Sequence, residues 1–258
     1  MKNRKSIVTG ATGFLGKIIA DTLAELGSDL ILIDLPNTQL EVLKDNLSMK
    51  YSIKINCYEC DLESTYEREK TLVSITNKHN KINCLINNAA FVARTELDGW
   101  LESFENQSID TWRRAFEVNL TSVFHLSQYL TPFMRNSKGA NIINISSIYG
   151  QYAPVWDLYE GTEMGNPAAY ACSKSGVIQL TKWLSTTLAP NIRINCISPG
   201  GVYRNQPQQF INKYEKRTPL GRMAKEEDLK GAIAFLASDM SEYITGHILN
   251  VDGGWGVW

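Results

Sequence analysis

The stretch Thr9-Gly10-Ala11-Thr12-Gly13-Phe14-Leu15-Gly16 indicates which kind of fold this chain adopts. It follows a short apolar run at 6–8, which predicts a strand, and precedes residues 17–26, whose apolar periodicity predicts a helix that ends at Gly27. This order predicts a phosphate cradle, because glycines let the backbone approach a pyrophosphate and the helix N-terminus supplies free N–H groups. A tight turn is the alternative when such a glycine triplet stands alone.

An acidic residue follows the second predicted strand. Asp34 directly follows the apolar run 29–33, eighteen residues after Gly16. A carboxylate at this point hydrogen-bonds the adenosine ribose hydroxyls of NAD and repels the 2′-phosphate of NADP. No Lys or Arg lies between Thr9 and Gly16, so we predict NAD as the cofactor rather than NADP. The alternative role for Asp34 is the N-cap of the next helix.

Short apolar runs alternate with amphipathic stretches along the rest of the chain. Strands are predicted at 6–9, 29–33, 54–60, 84–87, 140–146, 193–198 and 247–250, and helices at 14–26, 38–49, 63–77, 109–135, 168–188 and 226–238. This alternation predicts an α/β fold of the Rossmann type, with a doubly wound parallel sheet of about seven strands and helices on both faces. At 258 residues, the chain is expected to form a single domain over 1–258.

Composition narrows the class of protein. Apolar residues make up 43% and charged residues 21%, as in ordinary globular chains. The net charge of −1 gives no electrostatic case for nucleic acid or membrane partners, and no apolar run is long enough to span a bilayer. The basic residues at 2–5 lead directly into the glycine loop, so no secretory signal is predicted and we expect cytoplasmic residence.

The five cysteines do not form a pattern typical of a metal site. Cys57 and Cys60 have the spacing of a metal or redox motif, but no second such pair or histidine cluster accompanies them. We therefore expect reduced core cysteines and no metal.

A tyrosine and a lysine provide the candidate chemistry. Tyr170 and Lys174 are four residues apart, which places them on one face of a helix. A neighbouring cation favours the phenolate, so the lysine would make the phenol acidic enough to move protons at neutral pH. The spacing alone is also typical of one apolar and one solvated residue.

Taken together, these motifs resemble the short-chain dehydrogenase/reductase family, mainly its classical branch, over nearly the whole chain. They occur in family order: Thr9 to Gly16, Asp61, Asn87 to Ala90, Asn119, Ser146-Ser147, Tyr170 with Lys174, and Pro199-Gly200. The resemblance implies NAD(P)-dependent oxidation or reduction at a secondary alcohol or ketone. Taken singly, the serines could be strand-end caps, Asn119 a polar residue inside a helix, and Asn87-Asn88 a turn.

The resemblance also implies a role for each residue. Tyr170 would be the general acid or base, Lys174 would lower its pKa and hold the nicotinamide ribose, and Ser147 would hydrogen-bond the substrate. Asn119 would hold a water of the proton relay at a distortion in its helix. The residues assigned to the cofactor are Gly10, Thr12, Gly13, Phe14, Leu15, Gly16, Asp34, Asp61, Leu62, Asn88, Ala89, Ala90, Tyr170, Lys174, Pro199, Gly200 and Val202.

The chain departs from the family pattern in three places. Phe14 stands where the classical branch usually has glycine, a spacing that resembles the extended branch with its epimerases and dehydratases. Ser147 and Tyr170 are 23 positions apart, more than is usual, and the extra residues fall in 152–166. Arg204 replaces a threonine that contacts the carboxamide in many relatives, so we expect it to face an anionic substrate group.

Two stretches are expected to overhang the site, and both are rich in aromatic and acidic residues. They span 95–108, with Trp100, and 149–166, with Tyr152. Side chains of this kind are suited to polyhydroxyl groups, although a surface flap or a subunit contact explains them equally well. The substrate residues are therefore predicted to be Ser147, Tyr152 and Arg204. Residues 204–217, within a substrate loop near 201–220, are predicted to form a lid, with a helical surface excursion as the alternative.

The expected substrate is a sugar, sugar phosphate or nucleotide sugar. The chain resembles the bacterial oxidoreductases tied to flagellin glycosylation and surface-sugar biosynthesis, through Asn205-Gln206-Pro207 and the ending at 252–255. The alternatives are a 3-oxoacyl-type reductase, a non-redox epimerase or dehydratase, and a non-catalytic NAD sensor or scaffold. Trp255 and Trp258 near the chain end predict a homo-oligomer, a dimer or tetramer, that buries them.

Overall fold

In the computed structural model of the protein, which describes residues 1–92 and 97–258, the strands form a seven-stranded parallel sheet. The strands are β1 (Lys5–Thr9), β2 (Asp29–Asp34), β3 (Ile55–Glu59), β4 (Cys84–Asn87), β5 (Asn141–Ile145), β6 (Arg193–Pro199) and β7 (Ile248–Val251). Their order across the sheet is β3-β2-β1-β4-β5-β6-β7. The order changes direction between β1 and β4, which is where such sheets bind ligands. The predicted doubly wound α/β sheet is confirmed.

Helices cover both faces of this sheet, because each strand is apolar on both sides. The helices are α1 (Phe14–Glu25), α2 (Leu40–Lys50), α3 (Thr65–Lys78), α4 (Ile109–Phe116), α5 (Ser122–Met134), α6 (Ala168–Thr187), α7 (Gln208–Arg217) and α8 (Lys230–Ala237). Val8 packs with α1, α2 and α8 in one core, whereas its neighbour Ile7 packs with α3, α5 and α6 in the other. This alternation is typical of a parallel sheet buried on both faces.

The long helix predicted at 109–135 is interrupted. A π-helical segment, Glu117–Thr121, separates α4 from α5 and carries Asn119. Arg68, which is 2% exposed, contacts this segment through an ion pair with Glu117 at 2.5 Å. The same guanidinium donates a hydrogen bond to the Leu62 carbonyl. π-segments are common at functional sites, and here the distortion expected at Asn119 is present.

The segment predicted as a lid contains a packed helix. The segment is helical, as the alternative predicted, but Phe210, Ile211 and Tyr214 are buried, so α7 packs against the rest of the chain and does not project from the surface. Movement of this segment as a lid stays a prediction. Tyr214 stacks on Trp255 with ring centroids 4.4 Å apart. Trp255 is therefore buried inside its own chain, contrary to the predicted burial between subunits, whereas Trp258 remains 70% exposed.

Three general expectations can be compared with the described part of the chain. Within it, no helix has the length and apolar character needed to cross a bilayer. Across the same residues, no group of three or more His, Cys, Asp or Glu side chains is placed to hold a metal ion. All five cysteines are free thiols, but Cys172 is exposed, so the description as core residues does not extend to it.

Candidate active site

A cavity of about 540 Å³ opens beyond the carboxyl ends of the strands. Most residues predicted for the cofactor and the chemistry line it. They are Gly10, Thr12, Gly13, Phe14, Leu15, Asp34, Asp61, Leu62, Asn88, Ala89, Ala90, Ser147, Tyr170, Lys174, Gly200, Val202 and Arg204. Six successive strands end at this edge, which is why residues far apart in sequence meet there.

The glycine loop forms the floor of the cavity, and its shape requires glycine. Gly10 has φ +62°, and a Cβ there would lie 2.9 Å from the Ala89 Cα. Gly13 is the N-cap of α1 and has no side chain, so the first N–H groups of the helix receive no side-chain cap. Gly16 does not line the cavity; a Cβ there would overlap the Gly10 carbonyl. Gly10 and Gly13 therefore leave room for a dinucleotide pyrophosphate to approach the backbone, whereas Gly16 lets α1 pack against the loop.

Asp34 stands beside this loop at the end of β2. Its Oδ2 accepts hydrogen bonds from the Thr12 backbone N–H and hydroxyl, both at 2.7 Å, and its Oδ1 accepts from Leu35 N–H at 2.8 Å. The N-cap of α2 is Gln39, so the alternative capping role for Asp34 is wrong. The carboxylate is held rigidly on the cavity wall, in the position that suits ribose hydroxyls.

Two asparagines at the end of β4 have different structural roles. Asn88 donates from its Nδ2 to the carbonyls of Thr9 and Gly10, at 2.9 and 3.0 Å, and so holds the glycine loop. Asn87 is buried and donates to the Asn144 Oδ1 at 2.8 Å, and Asn144 donates in turn to Thr181 of α6 at 2.9 Å. This chain of amides ties β4 and β5 to the helix that carries Tyr170.

The candidate catalytic side chains converge where β5 meets α6. Tyr170 is in the first turn of α6, and Ser147 follows β5 and hydrogen-bonds the Tyr170 phenol. Lys174 lies beneath, with its Nζ 5.9 Å from the centroid of the Tyr170 ring. The predicted geometry of the pair is therefore present on one face of α6.

The charge state of the phenol differs from the prediction. Burial raises the pKa of Tyr170 above its usual value, while the Ser147 hydrogen bond acts in the opposite direction. Burial also lowers the pKa of Lys174 to about 8, so most of the lysine still carries its charge at neutral pH, but burial of the phenol dominates the pKa of Tyr170. The Lys174 ammonium donates to the Ile145 carbonyl at 2.8 Å. At neutral pH, the structure thus presents a protonated phenol, which is a proton donor.

Asn119 has its side chain fully engaged. Its Oδ1 accepts from Phe91 N–H at 2.7 Å, and its Nδ2 donates to the Ser173 hydroxyl at 3.0 Å. It does not line the cavity and is 1% exposed. The side-chain amide therefore joins the π-segment to α6 and to the strand-end loop.

Two other assigned residues do not line the cavity. Pro199 is the last residue of β6, next to the lining residue Gly200. Tyr152 was predicted to contact substrate, but its ring packs so closely on the C-terminal segment that a Cβ on Gly256 would overlap it. The prediction for Tyr152 is corrected because the chain turns away from the cavity after Gly150.

Arg204 lines the cavity, but its charge already has protein partners. The guanidinium stacks over the Phe14 ring at 4.1 Å and pairs with Glu226 at 3.3 Å. Phe14, the departure from the family glycine, is therefore the platform for Arg204. The expected contact with a substrate anion would have to compete with Glu226.

Among the described residues of the two overhanging stretches, no acidic side chain lines the cavity. Asp157 and Glu160 pair with Lys213 of α7, at 3.2 and 3.4 Å, on the outer surface. Trp100 is buried and donates to the Val92 carbonyl at 3.0 Å. Residues 95 and 96 of the first stretch lie outside the described residues. The predicted acidic lining is thus wrong for the second stretch.

Several lining residues were not assigned individually from the sequence, although the stretch 149–166 was expected to overhang the site. They are aromatic, apolar or amide side chains of two segments, the loop 149–166 and α7, and include Tyr149, Tyr159, Met164, Asn166, Phe210 and Tyr214. The helical spacing of Phe210, Ile211 and Tyr214 was a usable signal for α7. The aromatic composition of 149–166 indicated that this loop reaches the site, but it did not indicate which side chains line the cavity, because the loop is irregular.

Comparison with known proteins agrees with this geometry. The family model described as enoyl-(acyl carrier protein) reductase matches residues 10–256. The chain is 30% identical over 258 residues to post-translational flagellin modification protein A of Campylobacter coli, covering 100% of both chains. It is also 30% identical over 259 residues to the 3-oxoacyl-[acyl-carrier-protein] reductase FabG of Aquifex aeolicus (strain VF5), covering 98% of both.

A solved structure shows the same architecture. NAD+-bound xylitol dehydrogenase is 27% identical, with a TM-score of 0.86 over 98% of this chain and 99% of that chain. The two chains therefore share the same fold over nearly their whole length.

Proposed function

The chain belongs to the short-chain dehydrogenase/reductase family, and from that premise we propose that it interconverts a secondary alcohol and a ketone with NAD(H), on a sugar, sugar phosphate or nucleotide sugar. Family membership makes it an NAD(P)-dependent oxidoreductase. The observation that carries the proposal is the meeting of Ser147, Tyr170 and Lys174 on one edge of the cavity, opposite the glycine loop.

Each of these side chains has a separate task. The nicotinamide, when bound, supplies or accepts the hydride. The Tyr170 phenol, protonated at neutral pH because burial raises its pKa, donates its proton to the carbonyl oxygen in reduction. In oxidation, the phenol first loses its proton to solvent, and the phenolate then accepts the hydroxyl proton of the alcohol. Ser147 hydrogen-bonds the same oxygen. Lys174 donates to the Ile145 carbonyl, which fixes its ammonium beneath the phenol, and it would hold the nicotinamide ribose of a bound cofactor.

The preference for NAD is supported by Asp34. Its carboxylate is fixed on the cavity wall by Thr12 and Leu35, so it cannot turn away from a 2′-phosphate without losing three hydrogen bonds. The 2′- and 3′-hydroxyls of NAD, by contrast, can donate to its remaining lone pairs.

The sugar is favoured by the chemistry of the cavity wall. Tyr149, Tyr159 and Tyr214 offer flat rings with hydroxyl edges, a combination that suits the alternating C–H and O–H groups of a sugar. The relative named for flagellin modification and the neighbour named xylitol dehydrogenase agree with a polyhydroxyl substrate. A 3-oxoacyl thioester is the second candidate, favoured by the FabG relative and by apolar lining residues such as Met164 and Phe210.

A substrate panel tests the proposal. Keto-sugars and sugar alcohols are compared with 3-oxoacyl thioesters, each with NAD(H) and NADP(H), by absorbance at 340 nm. We expect turnover of at least one sugar with NAD(H). Turnover of acyl thioesters alone would overturn the substrate class, and sugar conversion without net change in NADH would indicate epimerase or dehydratase chemistry.

The proposal includes a homo-oligomer, a dimer or tetramer, resident in the cytoplasm. Large apolar side chains are exposed on α5, on α6 and at the chain end, namely Phe124 at 41%, Trp183 at 55% and Trp258 at 70%. Contact between copies would remove this surface from water. A light-scattering mass equal to that of one chain, 29.0 kDa, would reject it.

A further inference from the structure

Asn166 is a buried amide that lines the cavity without a hydrogen bond of normal geometry. It is 6% exposed, and neither its Oδ1 nor its Nδ2 has a hydrogen-bond partner among the described residues. Buried amides in folded proteins are normally paired, so an unpaired one facing a cavity indicates a group that a ligand completes. Asn166 ends the loop 152–166 that lengthens the gap between Ser147 and Tyr170.

The position of Asn166 is fixed by the chain around it. The next residue, Pro167, is the N-cap of α6, and a residue before proline is restricted to extended backbone. The Pro167 carbonyl accepts from Tyr170 N–H at 3.0 Å, so a short, hydrogen-bonded length of backbone connects Asn166 to Tyr170. The N-terminal end of α6 therefore positions both Asn166 and the catalytic Tyr170.

Two tyrosines form the wall beside this amide. The Tyr159 hydroxyl donates to the Tyr149 hydroxyl at 2.6 Å, and both rings line the cavity. Burial raises the pKa of the Tyr159 phenol, and the nearby Asn166 amide acts in the opposite direction, although the contact between them does not have the geometry of a hydrogen bond. The tyrosine hydroxyls therefore satisfy each other first, and the amide retains donor and acceptor capacity toward the cavity.

We propose that Asn166 is a substrate-recognition residue, which hydrogen-bonds a second hydroxyl group of the substrate away from the reacting carbon. The inference rests on the proposed function and deepens it. A hydroxyl is both a donor and an acceptor, so it pairs with the Oδ1 and Nδ2 of one amide. Because the rings of Tyr149 and Tyr159 line the cavity beside the amide, this pairing favours a substrate whose hydroxyl group is attached to a carbon ring.

The same residue disfavours an unsubstituted carbon chain. A bare alkyl group would expel water from the amide and leave both polar atoms buried and unpaired. Sites built to bond a hydroxyl reject analogues that lack it far more strongly than apolar pockets reject an added methylene. Asn166 therefore selects a sugar-like substrate over an acyl chain.

The test compares matched ring alcohols. Cyclohexanol and the cyclohexane-1,2-, 1,3- and 1,4-diols are oxidised with NAD by wild type, by Asn166→Leu and by Asn46→Leu. Asn46 is exposed on α2, so the last variant makes the same chemical change away from the cavity. We expect wild type and Asn46→Leu to prefer at least one diol over cyclohexanol by tenfold or more in kcat/KM, and Asn166→Leu to reduce that ratio below threefold.

Other results separate failure of the inference from failure of the proposed function. A diol preference that survives in Asn166→Leu overturns the inference and leaves the function standing. A changed Kd for NADH in that variant, with the diol preference intact, would place Asn166 against the cofactor instead. If no ring alcohol is oxidised, calorimetry of the same alcohols with the NAD-loaded protein decides, because equal Kd values for diols and cyclohexanol overturn the inference.

Discussion

The two walls of the cavity satisfy their polar groups in different ways. The cofactor wall, formed by the loops after β1, β2 and β4, is internally hydrogen-bonded: Asn88 holds the carbonyls of Thr9 and Gly10, and Thr12 holds Asp34. The substrate wall, formed by 149–166 and α7, is mostly aromatic and contains the unpaired amide of Asn166. The first wall is complete before a ligand arrives, whereas the second has a polar group that a ligand must satisfy.

This difference fits two kinds of recognition. A dinucleotide presents the same phosphates and ribose in every enzyme of the family, so a preformed cradle lowers the entropy cost of binding it. A substrate differs between enzymes, and it is distinguished by a few polar atoms in an otherwise apolar wall. The difference between the two walls can be tested by mutation at Tyr170, Lys174, Asp34 and Asn166.

The largest expected effect is at Tyr170, where the two walls meet. Tyr170→Phe removes the proton donor and should lower kcat/KM by about 10³-fold, within the range for loss of general acid–base catalysis. Rates at 340 nm measure it. The fully exposed Tyr243 gives a matched control, and Tyr243→Phe should keep the wild-type rate. Equal rates for Tyr170→Phe and wild type would remove the phenol from its role.

The next effect concerns stability and pH at Lys174. Burial lowers its pKa from the usual 10.5 to about 8. Between these values, the unfolded chain binds a proton that the folded protein lacks, so the free energy of unfolding rises with pH. Relative to Lys174→Met, wild type should therefore gain stability from pH 8 upward, approaching about 3 kcal/mol above pH 10. Below pH 8, both states are protonated and the gain is absent.

Urea unfolding of both proteins at pH 7 and pH 10 measures this gain. Groups common to the two proteins cancel in the difference. A difference that stays constant between the two pH values would show that the folded lysine keeps its proton, and therefore that the ammonium is better compensated than its burial indicates.

A smaller effect is expected on the cofactor wall at Asp34. Asp34→Asn retains an oxygen that can accept from Thr12 but removes the charge that repels a 2′-phosphate. The ratio of kcat/KM for NAD to that for NADP should fall at least tenfold, or about 1.4 kcal/mol. Asp45→Asn, on the exposed side of α2, should leave the ratio unchanged. Wild-type preference for NADP would refute the assignment outright.

The difference between the two cavity walls also explains which residues of the site can be predicted from the sequence. The strands, the glycine loop and the strand-end residues Asp34, Asp61 and Asn88 follow from local rules, because glycine conformation and strand periodicity depend on near neighbours. Once six strands are parallel and adjacent, their ends must meet. The cofactor wall could therefore be predicted almost residue by residue.

The substrate wall depends on contacts between distant segments. Tyr152 and Tyr159 are the same residue type in the same loop. Tyr152 packs against Gly256 near the chain end, whereas Tyr159 lines the cavity. The acidic side chains at 157 and 160 pair with Lys213 of α7, a partner more than 50 residues away. The charge state of Tyr170 likewise depends on burial, which spacing alone does not indicate.

The smallest expected effect tests the difference between the walls directly, by one change at two asparagines. Asn166→Leu replaces an unpaired buried amide by an apolar group, so the free energy of unfolding should stay level or rise by up to about 1 kcal/mol. Asn88→Leu is the control on the cofactor wall: it leaves the Thr9 and Gly10 carbonyls without their donor and should cost about 2 kcal/mol. Urea unfolding at neutral pH measures both. A loss at Asn166 as large as that at Asn88 would mean that the free protein already satisfies the amide, and the contrast between the two walls would disappear.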